Sequence, residues 1–211
     1  MTKATYTLER FAVQSKMSEF LLTAGDLFKS LPELETQRLR LRQLTLDDAD
    51  EMFAYTHDPE VARYTFWEPH VSVEQSRAEL ALAVAAHEAG RPTHWGIEHR
   101  IDHRLIGNCG FKWWDSNAAS AEINAYLSRF YWNQGLVTEA VREVLNYGFH
   151  EMGLHRIQAC CEPPNVGSAR VLEKVGMTYE GTLRQADYDK GEYHDLRIYS
   201  VIRGEWGCSS R

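Results

Sequence analysis

The sequence lacks the features that mark several common classes of protein. Its 211 residues include only four cysteines, of which Cys160 and Cys161 are adjacent, and no Cys-x-x-Cys pair occurs. The number and spacing of the cysteines do not predict a disulfide scaffold and favour a reducing compartment. No apolar run approaches the roughly 20 residues that cross a bilayer, and the first residues lack the apolar segment of a signal peptide. We therefore expect a cytoplasmic protein with no membrane partner.

Positive charge is also scarce. The chain has 23 Lys and Arg against 30 Asp and Glu, for a formal net charge of −7. A protein that binds DNA or RNA through a broad face needs clustered Lys and Arg. We therefore expect no direct nucleic-acid partner, whereas an acidic exterior would favour an approaching amine.

What is present is the composition of an ordinary globular protein, with 44% hydrophobic and 25% charged residues. The length suits one domain with a short extension. We place the domain at residues 35–206, after an extension at 1–34 and before a tail at 207–211. Apolar residues recur at helical spacing over 17–31, which predicts an extra N-terminal helix. That helix either packs on the domain or serves dimerisation or acceptor binding, so a homodimer stays open.

Helical and strand patterns alternate within the domain. Residues 38–44 alternate polar and apolar side chains, as a half-buried strand does. Ser72 and Gln75 suit the start of a helix that runs to about Glu88. The remaining patterns predict strands near 94–100, 104–114, 119–128 and 157–161, helices from 136 for about four turns and over 165–174, and a hairpin of strands near 177–188 and 193–203. This order predicts an α/β (α+β) protein with a mixed sheet.

The loop before the long helix has the pattern of an anion site. A strand ends near Leu127, and the segment Trp132–Ala140 then passes through Gly135 directly into a helix. Free N–H groups of a first helical turn and the helix dipole both favour a bound anion. A single glycine excludes both the P-loop and the dinucleotide fingerprint, which need further fixed residues.

The segments of the domain together resemble a known family, the GNAT N-acetyltransferases, and within it the RimJ/RimL-like branch. The matching pieces occur in the family order, at 35–42, 121–123, 132–140, 154–157, 165–177 and 191–195 running into Tyr199. The resemblance implies a GNAT fold, with a mixed, mostly antiparallel sheet that is splayed between strands 4 and 5 and flanked by helices. It also implies transfer of an acetyl group from acetyl-CoA to an amine, without a metal.

The resemblance implies a set of cofactor-binding residues. The pyrophosphate of acetyl-CoA would lie on backbone amides of the loop and helix, which here belong to Gln134, Gly135, Leu136, Val137 and Thr138. The pantetheine arm would pair with the splayed strand around Tyr126, Leu127 and Ser128. Asn165 would contact the cofactor, and Ser168 would lie near its sulfur. Trp132, Asn133, Val137 and Asn124 depart from the usual family pattern.

Two side chains are candidates for the chemistry. The attacking amine must lose a proton, and Glu122, on the strand beside the thioester position, is the candidate base. The leaving thiolate needs a hydrogen bond, which Ser168 could supply directly or through water. Two structural interpretations stay open. Glu122 can be an ion-paired strand carboxylate, and Ser168 can be a polar residue that starts a helix.

Aromatic residues suggest where the acceptor binds. Thr45 and Asp48 suit the start of a short helix that runs to about Tyr55. Phe66 and Trp67 fall between this helix and the one that begins at Ser72, and the resemblance implies that this connection borders the acceptor site. Trp113 and Trp114 are neighbours on a strand, so one of them faces outward, and we assign Trp114 to the acceptor site. His94, His99 and His103 span a strand and a turn, and we do not expect them to converge on a metal.

These observations predict an N-acetyltransferase that acts by direct transfer in a ternary complex. The acceptor we expect is a protein N-terminal α-amine, such as that of a ribosomal protein. The enzymatic alternative is a small amine, for example a polyamine, an amino-acid derivative or an antibiotic. An alternative of another class is a non-catalytic acyl-CoA-binding sensor or interaction module.

Overall fold

The computed structural model describes residues 28–29 and 31–207. Its strands form one eight-stranded sheet in the order β1-β2-β3-β4-β5-β6-β8-β7. Their bounds are β1 Leu34–Glu35, β2 Leu39–Arg42, β3 His94–His99, β4 Arg104–Asp115, β5 Ser120–Leu127, β6 Arg156–Cys161, β7 Thr178–Asp189 and β8 Glu192–Ile202. The pair β5/β6 is parallel and the other neighbours are antiparallel, which confirms the predicted mixed sheet.

Besides the helical residues Phe28 and Lys29, five α-helices accompany the sheet within the described residues. They are α1 Ala49–Thr56, α2 Pro59–Ala62, α3 Val73–Glu88, α4 Leu136–His150 and α5 Val166–Lys174. The Ser72 side chain accepts a hydrogen bond from the Gln75 N–H and caps α3, as the sequence predicts. The predicted helix over 17–31 lies outside the described residues except at Phe28, Lys29 and Leu31. None of the helices described in 28–29 and 31–207 has the length and apolarity that crossing a bilayer requires.

Two apolar clusters place helices on both faces of the sheet. One contains the buried face of α4, from Leu136 to Phe149, with Ala121 and Ile123 of β5 and residues of α5. The other contains Met52 of α1 and Leu80 of α3. Side chains of a strand alternate between the two faces. Glu122, Asn124 and Tyr126 of β5 therefore point to the side of α1 and α3, away from α4.

The two central parallel strands separate after a short contact. Only three residues of β5 pair with β6, at Ser120, Ala121 and Glu122, although β5 continues to Leu127. The remaining length of β5 therefore borders a gap in the sheet. This is the predicted splay, which in the numbering of the structure lies between β5 and β6 because the two-residue strand β1 precedes the others.

Candidate active site

The N-terminus of α4 presents free amides beside this gap. Gly135 has a φ of 77°, in the left-handed region that a residue without a Cβ adopts at little cost. The first N–H with a partner inside the helix belongs to Glu139, which donates to the Gly135 oxygen over 3.1 Å. Among the described residues no side chain caps the helix start. The amides of Leu136, Val137 and Thr138 are thus directed at one spot, as an anion site requires.

Residues of the short connection between β1 and β2 hold this helix start. The Glu139 carboxylate accepts hydrogen bonds from Thr36 Oγ1 at 2.6 Å, from the Arg38 backbone N–H at 2.9 Å and from Arg38 Nε at 2.7 Å. Arg38 Nη1 also donates to the Gln134 oxygen at 2.9 Å. Burial would raise the pKa of Glu139, but the Thr36 and Arg38 donors lower it overall. The carboxylate next to the anion site is therefore neutralised by its own partners.

The backbone of β5 turns alternate residues towards the gap. Ser128 N–H donates to the Ile106 oxygen of β4 at 2.7 Å, and Tyr126 pairs with Asn108 in the same ladder. Because antiparallel bonds alternate along a strand, the groups of Ile123, Ala125 and Leu127 face the gap instead. In the sequence analysis, Tyr126, Leu127 and Ser128 are the residues expected to pair with the pantetheine arm of acetyl-CoA. The ladder position of Tyr126 and the Ser128 N–H face β4, and the Leu127 oxygen already accepts from Trp132 Nε1 at 2.8 Å.

Glu122 lies at the point where the gap begins. It is only 7% exposed. Its Oε2 accepts from Gln158 Nε2 at 2.9 Å and from Trp113 Nε1 at 3.2 Å, and its Oε1 lies 3.1 Å from Lys112 Nζ. The position suits the predicted base, but each of these partners is a donor that stabilises the carboxylate.

The donors reach Glu122 through a bulge in β4. The register between β4 and β5 shifts between Phe111 and Trp113, so both Lys112 and Trp113 contact the Glu122 side. Burial alone would raise the pKa of Glu122, but the Gln158, Lys112 and Trp113 contacts lower it below its ordinary value. Glu122 is therefore charged and a weaker base than an ordinary glutamate.

Asn165 and Ser168 lie at the start of α5, on the far side of the gap. Asn165 Oδ1 accepts from the Ser168 N–H at 3.0 Å, so Asn165 is the N-cap of the helix. Burial raises the pKa of the Cys161 thiol on β6, and a hydrogen bond with the Ser168 side chain opposes that shift. Ser168 thus lies beside the strand that forms the other edge of the gap.

A cleft opens to solvent on the α1 and α3 side of β5. Phe66 and Trp67 both line it, and Phe66 is 67% exposed. The Trp67 ring meets the Tyr126 ring edge-on at 5.9 Å between centroids. The cleft therefore has aromatic walls next to the strand that borders the gap.

Trp114, which the sequence analysis assigned to the acceptor site, lies on the opposite face of the sheet from this cleft. Its ring packs edge-on against Phe28 at 5.8 Å, and it adjoins the core that contains α4. Trp113 is the tryptophan on the Glu122 side. Because of the bulge between Phe111 and Trp113, the strand pattern alone did not indicate which of the two neighbours faces the cleft.

Sequence reasoning missed a polar chain across the cleft floor. His94 Nε2 bonds Asn124 Oδ1, and Asn124 Nδ2 donates to the Tyr126 hydroxyl at 3.0 Å. His94 and Asn124 both line the cleft. The one signal in the sequence was Asn124 itself, which stands where the family often has glycine.

Comparisons with known proteins agree with this geometry. Residues 38–178 match a family model described as an acetyltransferase (GNAT) domain. The uncharacterized N-acetyltransferase YoaA of Bacillus subtilis is 38% identical over 172 residues, which are 82% of this chain and 97% of that protein. The putative ribosomal N-acetyltransferase YdaF of the same organism is 33% identical over 113 residues, 53% of this chain and 62% of that protein. A crystal structure of a GNAT-family acetyltransferase from Bacillus anthracis superposes with a TM-score of 0.75 at 28% identity, covering 82% of this chain and 100% of that one.

Proposed function

The chain belongs to the GNAT acetyltransferase family and is an N-acetyltransferase, and we propose that it acetylates the α-amine of a protein N-terminus by direct transfer in a ternary complex. Acetyl-CoA is the co-substrate of the family and supplies the activated acetyl group as a thioester. The observation that carries the proposal is the arrangement around β5. An uncapped helix start and a gap in the sheet lie at one edge of this strand, and an open cleft lies over its face.

The residues present fit acetyl-CoA. The amides of Gly135, Leu136, Val137 and Thr138, with that of Gln134, would hold the pyrophosphate without a nearby free carboxylate, because Arg38 neutralises Glu139. The gap-facing backbone of β5 would pair with the pantetheine arm. A free N–H of the same edge would stabilise the oxyanion that develops on the thioester carbonyl.

The side chains around the gap have separate roles in this proposal. Ser168, beside Cys161, would hydrogen-bond the leaving sulfur. Glu122 would hold Lys112 and Gln158 in place and contribute negative charge where an ammonium approaches, since its lowered pKa makes it a poor proton acceptor. Asn165 would fix the start of α5 that carries Ser168.

The proposed acceptor rests on the cleft and on one relative. The cleft is open and aromatic, with Phe66 and Trp67 at its wall and Glu79 as its carboxylate. An aromatic wall suits the first side chain of a peptide, and a carboxylate favours its ammonium group. The name of YdaF, a putative ribosomal N-acetyltransferase, supports a protein acceptor.

Two alternatives make different predictions. A small amine would use the same Glu79 and aromatic wall without needing the open mouth of the cleft. A non-catalytic sensor would bind acetyl-CoA and turn over no acceptor.

One assay separates these functions. Release of the CoA thiol is measured with acetyl-CoA against N-terminal peptides, including ribosomal-protein N-termini, and against polyamines and amino-acid amides. The proposal expects the highest kcat/KM with a peptide. Preference for a small amine would replace the protein acceptor, and thermal stabilisation by acetyl-CoA without any turnover would indicate the sensor.

A further inference from the structure

Several polar atoms of the cleft beside β5 have unused hydrogen-bonding capacity. His94, Gly110 and Asn124 form one row across β3, β4 and β5. Because Gly110 has no side chain, the His94 imidazole can extend over it and bond Asn124 Oδ1. Asn124 Nδ2 donates to the Tyr126 hydroxyl at 3.0 Å. Both polar atoms of Asn124 are therefore engaged, whereas the Tyr126 hydroxyl still has its own proton to donate.

A second chain of hydrogen bonds fixes the tautomer of His70, which also lines the cleft. Thr56 Oγ1 donates its one proton to the Met52 oxygen at 2.9 Å, so it accepts from Ser76 Oγ at 3.2 Å. Ser76 has then used its own proton, and it accepts from His70 Nδ1 at 2.7 Å. Burial lowers the pKa of His70 below its usual value, so the neutral ring has a lone pair on Nε2. No described residue donates to that nitrogen.

Further acceptors of the cleft have no donor among the described residues. Asn108 of β4 is paired with Tyr126 and is 8% exposed. Its Oδ1 and the Tyr55 hydroxyl are both buried without a hydrogen-bond partner in the described chain. Among the described lining residues the one carboxylate is Glu79, whose charge acts to raise the pKa of both His70 and Tyr126. Glu79 therefore lies close enough to act on both sides of the cleft.

Aromatic rings lie among these acceptors. The Trp67 ring centroid is 5.5 Å from that of His70 and 5.9 Å from that of Tyr126. The face of an aromatic ring attracts a cation, as a carboxylate does. No Lys or Arg is among the described residues that line the cleft. The cleft thus offers lone pairs, aromatic faces and one negative charge, and the group that complements all of them is a cation that donates hydrogen bonds.

We propose that this end of the cleft binds a second cation of the acceptor, the side chain of lysine or arginine at the second residue of a protein N-terminus. The inference rests on the proposed function and deepens it. The reacting amine must move to the gap and become uncharged before it attacks, whereas a second cation keeps its charge. Glu79, His70 Nε2 and Asn108 Oδ1 would hold that cation beside the Trp67 ring.

The spacing suits the second residue. Neighbouring strands lie about 4.8 Å apart, so a cofactor paired with β5 from the gap side is two spacings, or about 10 Å, from Asn108 on β4. One extended residue spans about 3.5 Å, and the long side chain of lysine or arginine covers the rest. The Tyr126 hydroxyl, on the strand between them, can donate its proton to the carbonyl of the first residue. A polyamine has no carbonyl for this donor, which favours a peptide as the source of the cation.

Two peptides that differ in one charge test this inference. Release of the CoA thiol is measured with a lysine-free peptide that has arginine as its second residue, and with the same peptide carrying citrulline, which has a similar shape and no charge. A guanidinium is not an acetyl acceptor, so both peptides offer one reacting amine. We expect kcat/KM to be about tenfold higher for the arginine peptide, mainly through KM. Equal values for the two peptides would overturn the inference and leave the proposed function standing.

Spermidine is the third acceptor and distinguishes the source of the cation. We expect its kcat/KM to be below that of the arginine peptide. A higher value would overturn the inference and replace the protein acceptor of the proposed function, and no turnover of any acceptor would remove both.

A matched pair of variants locates the cation. Glu79→Gln should lower the ratio of the two peptide kcat/KM values about threefold to fivefold. The ratio cancels any effect of Glu79 on the reacting amine, which both peptides share. Glu88→Gln removes an exposed charge from the same helix outside the cleft and should keep the wild-type ratio. An unchanged ratio in Glu79→Gln would overturn the inference, and so would an equal fall in Glu88→Gln, since the preference would then come from the acidic surface as a whole.

Discussion

Replacing Glu122 by glutamine should destabilise the fold by a small, pH-dependent amount. The change keeps the size of the side chain and removes its charge. Gln158 Nε2 and Trp113 Nε1 can still donate to an amide oxygen, whereas the ion pair with Lys112 Nζ is lost. The variant therefore isolates the contribution of the charge.

The magnitude follows from the three contacts. The Lys112 side chain is 56% exposed, so its ion pair is worth about 0.5 kcal/mol. Loss of charge assistance should weaken each of the two hydrogen bonds by about 0.5–1 kcal/mol. A neutral amide costs less to bury, which offsets part of this sum. We expect a net loss of about 1 kcal/mol, or about 3 °C in Tm.

The sign of the pH dependence follows from the lowered pKa of Glu122. The carboxylate contributes stability that is fully present above its unfolded pKa, about 4.3, and is lost as the pH falls through the lower folded value. The difference between the wild type and Glu122→Gln should thus be constant from pH 6 to 8 and shrink below about pH 4.5.

Urea unfolding at a series of pH values measures this difference. Glu60→Gln serves as control, because the Glu60 side chain makes an exposed contact with Arg63 at 3.6 Å. This variant should change stability by no more than a few tenths of a kcal/mol. Equal stability of the wild type and Glu122→Gln at pH 7, or a gap that widens on acidification, would refute the inference that donors hold this carboxylate.

Three further predictions concern the two binding regions. Asn165→Ala should lower stability by about 1 kcal/mol through loss of the helix cap, whereas Asn165→Asp should retain it; equal melting of both variants in calorimetry would contradict the cap. Gly135→Ala places an alanine in the left-handed region at a cost of about 1 kcal/mol, with its methyl group 3.6 Å from Arg38 Nη2. We expect titration calorimetry to show at least tenfold weaker acetyl-CoA binding, and an unchanged affinity would argue against the loop as the pyrophosphate site. Trp67→Ala should raise the acceptor KM, while Trp114→Ala should lower Tm and leave that KM unchanged; the opposite pattern in steady-state kinetics would reverse the assignment of the two faces.

The sequence predicted most of the fold because its patterns are local. Strand alternation over 38–44, the Ser72 cap and the apolar face of α4 each depend on spacing within one element. The short strand β1 and helix α2 were missed, since a two-residue strand and a four-residue helix have too few positions for a period to appear.

The candidate site was predictable only where it follows from a single segment. The loop at Gly135 and the cap at Asn165 are of this kind. Contacts that join distant segments were not predicted. The bulge that brings Lys112 and Trp113 to Glu122, and the reach of His94 over Gly110, depend on register between strands, which one sequence does not specify.

The row formed by His94, Gly110 and Asn124 has an evolutionary consequence. A side chain at position 110 would press on the backbone of Thr93 and His94, with its Cβ 2.5 Å from the Thr93 oxygen. Because position 110 pairs with His94 on one side and Asn124 on the other, glycine there is required for the asparagine to contact a histidine two strands away. Among related chains, the pair His94 and Asn124 should be inherited together and only on a glycine background, whereas glycine at 110 should also occur without them.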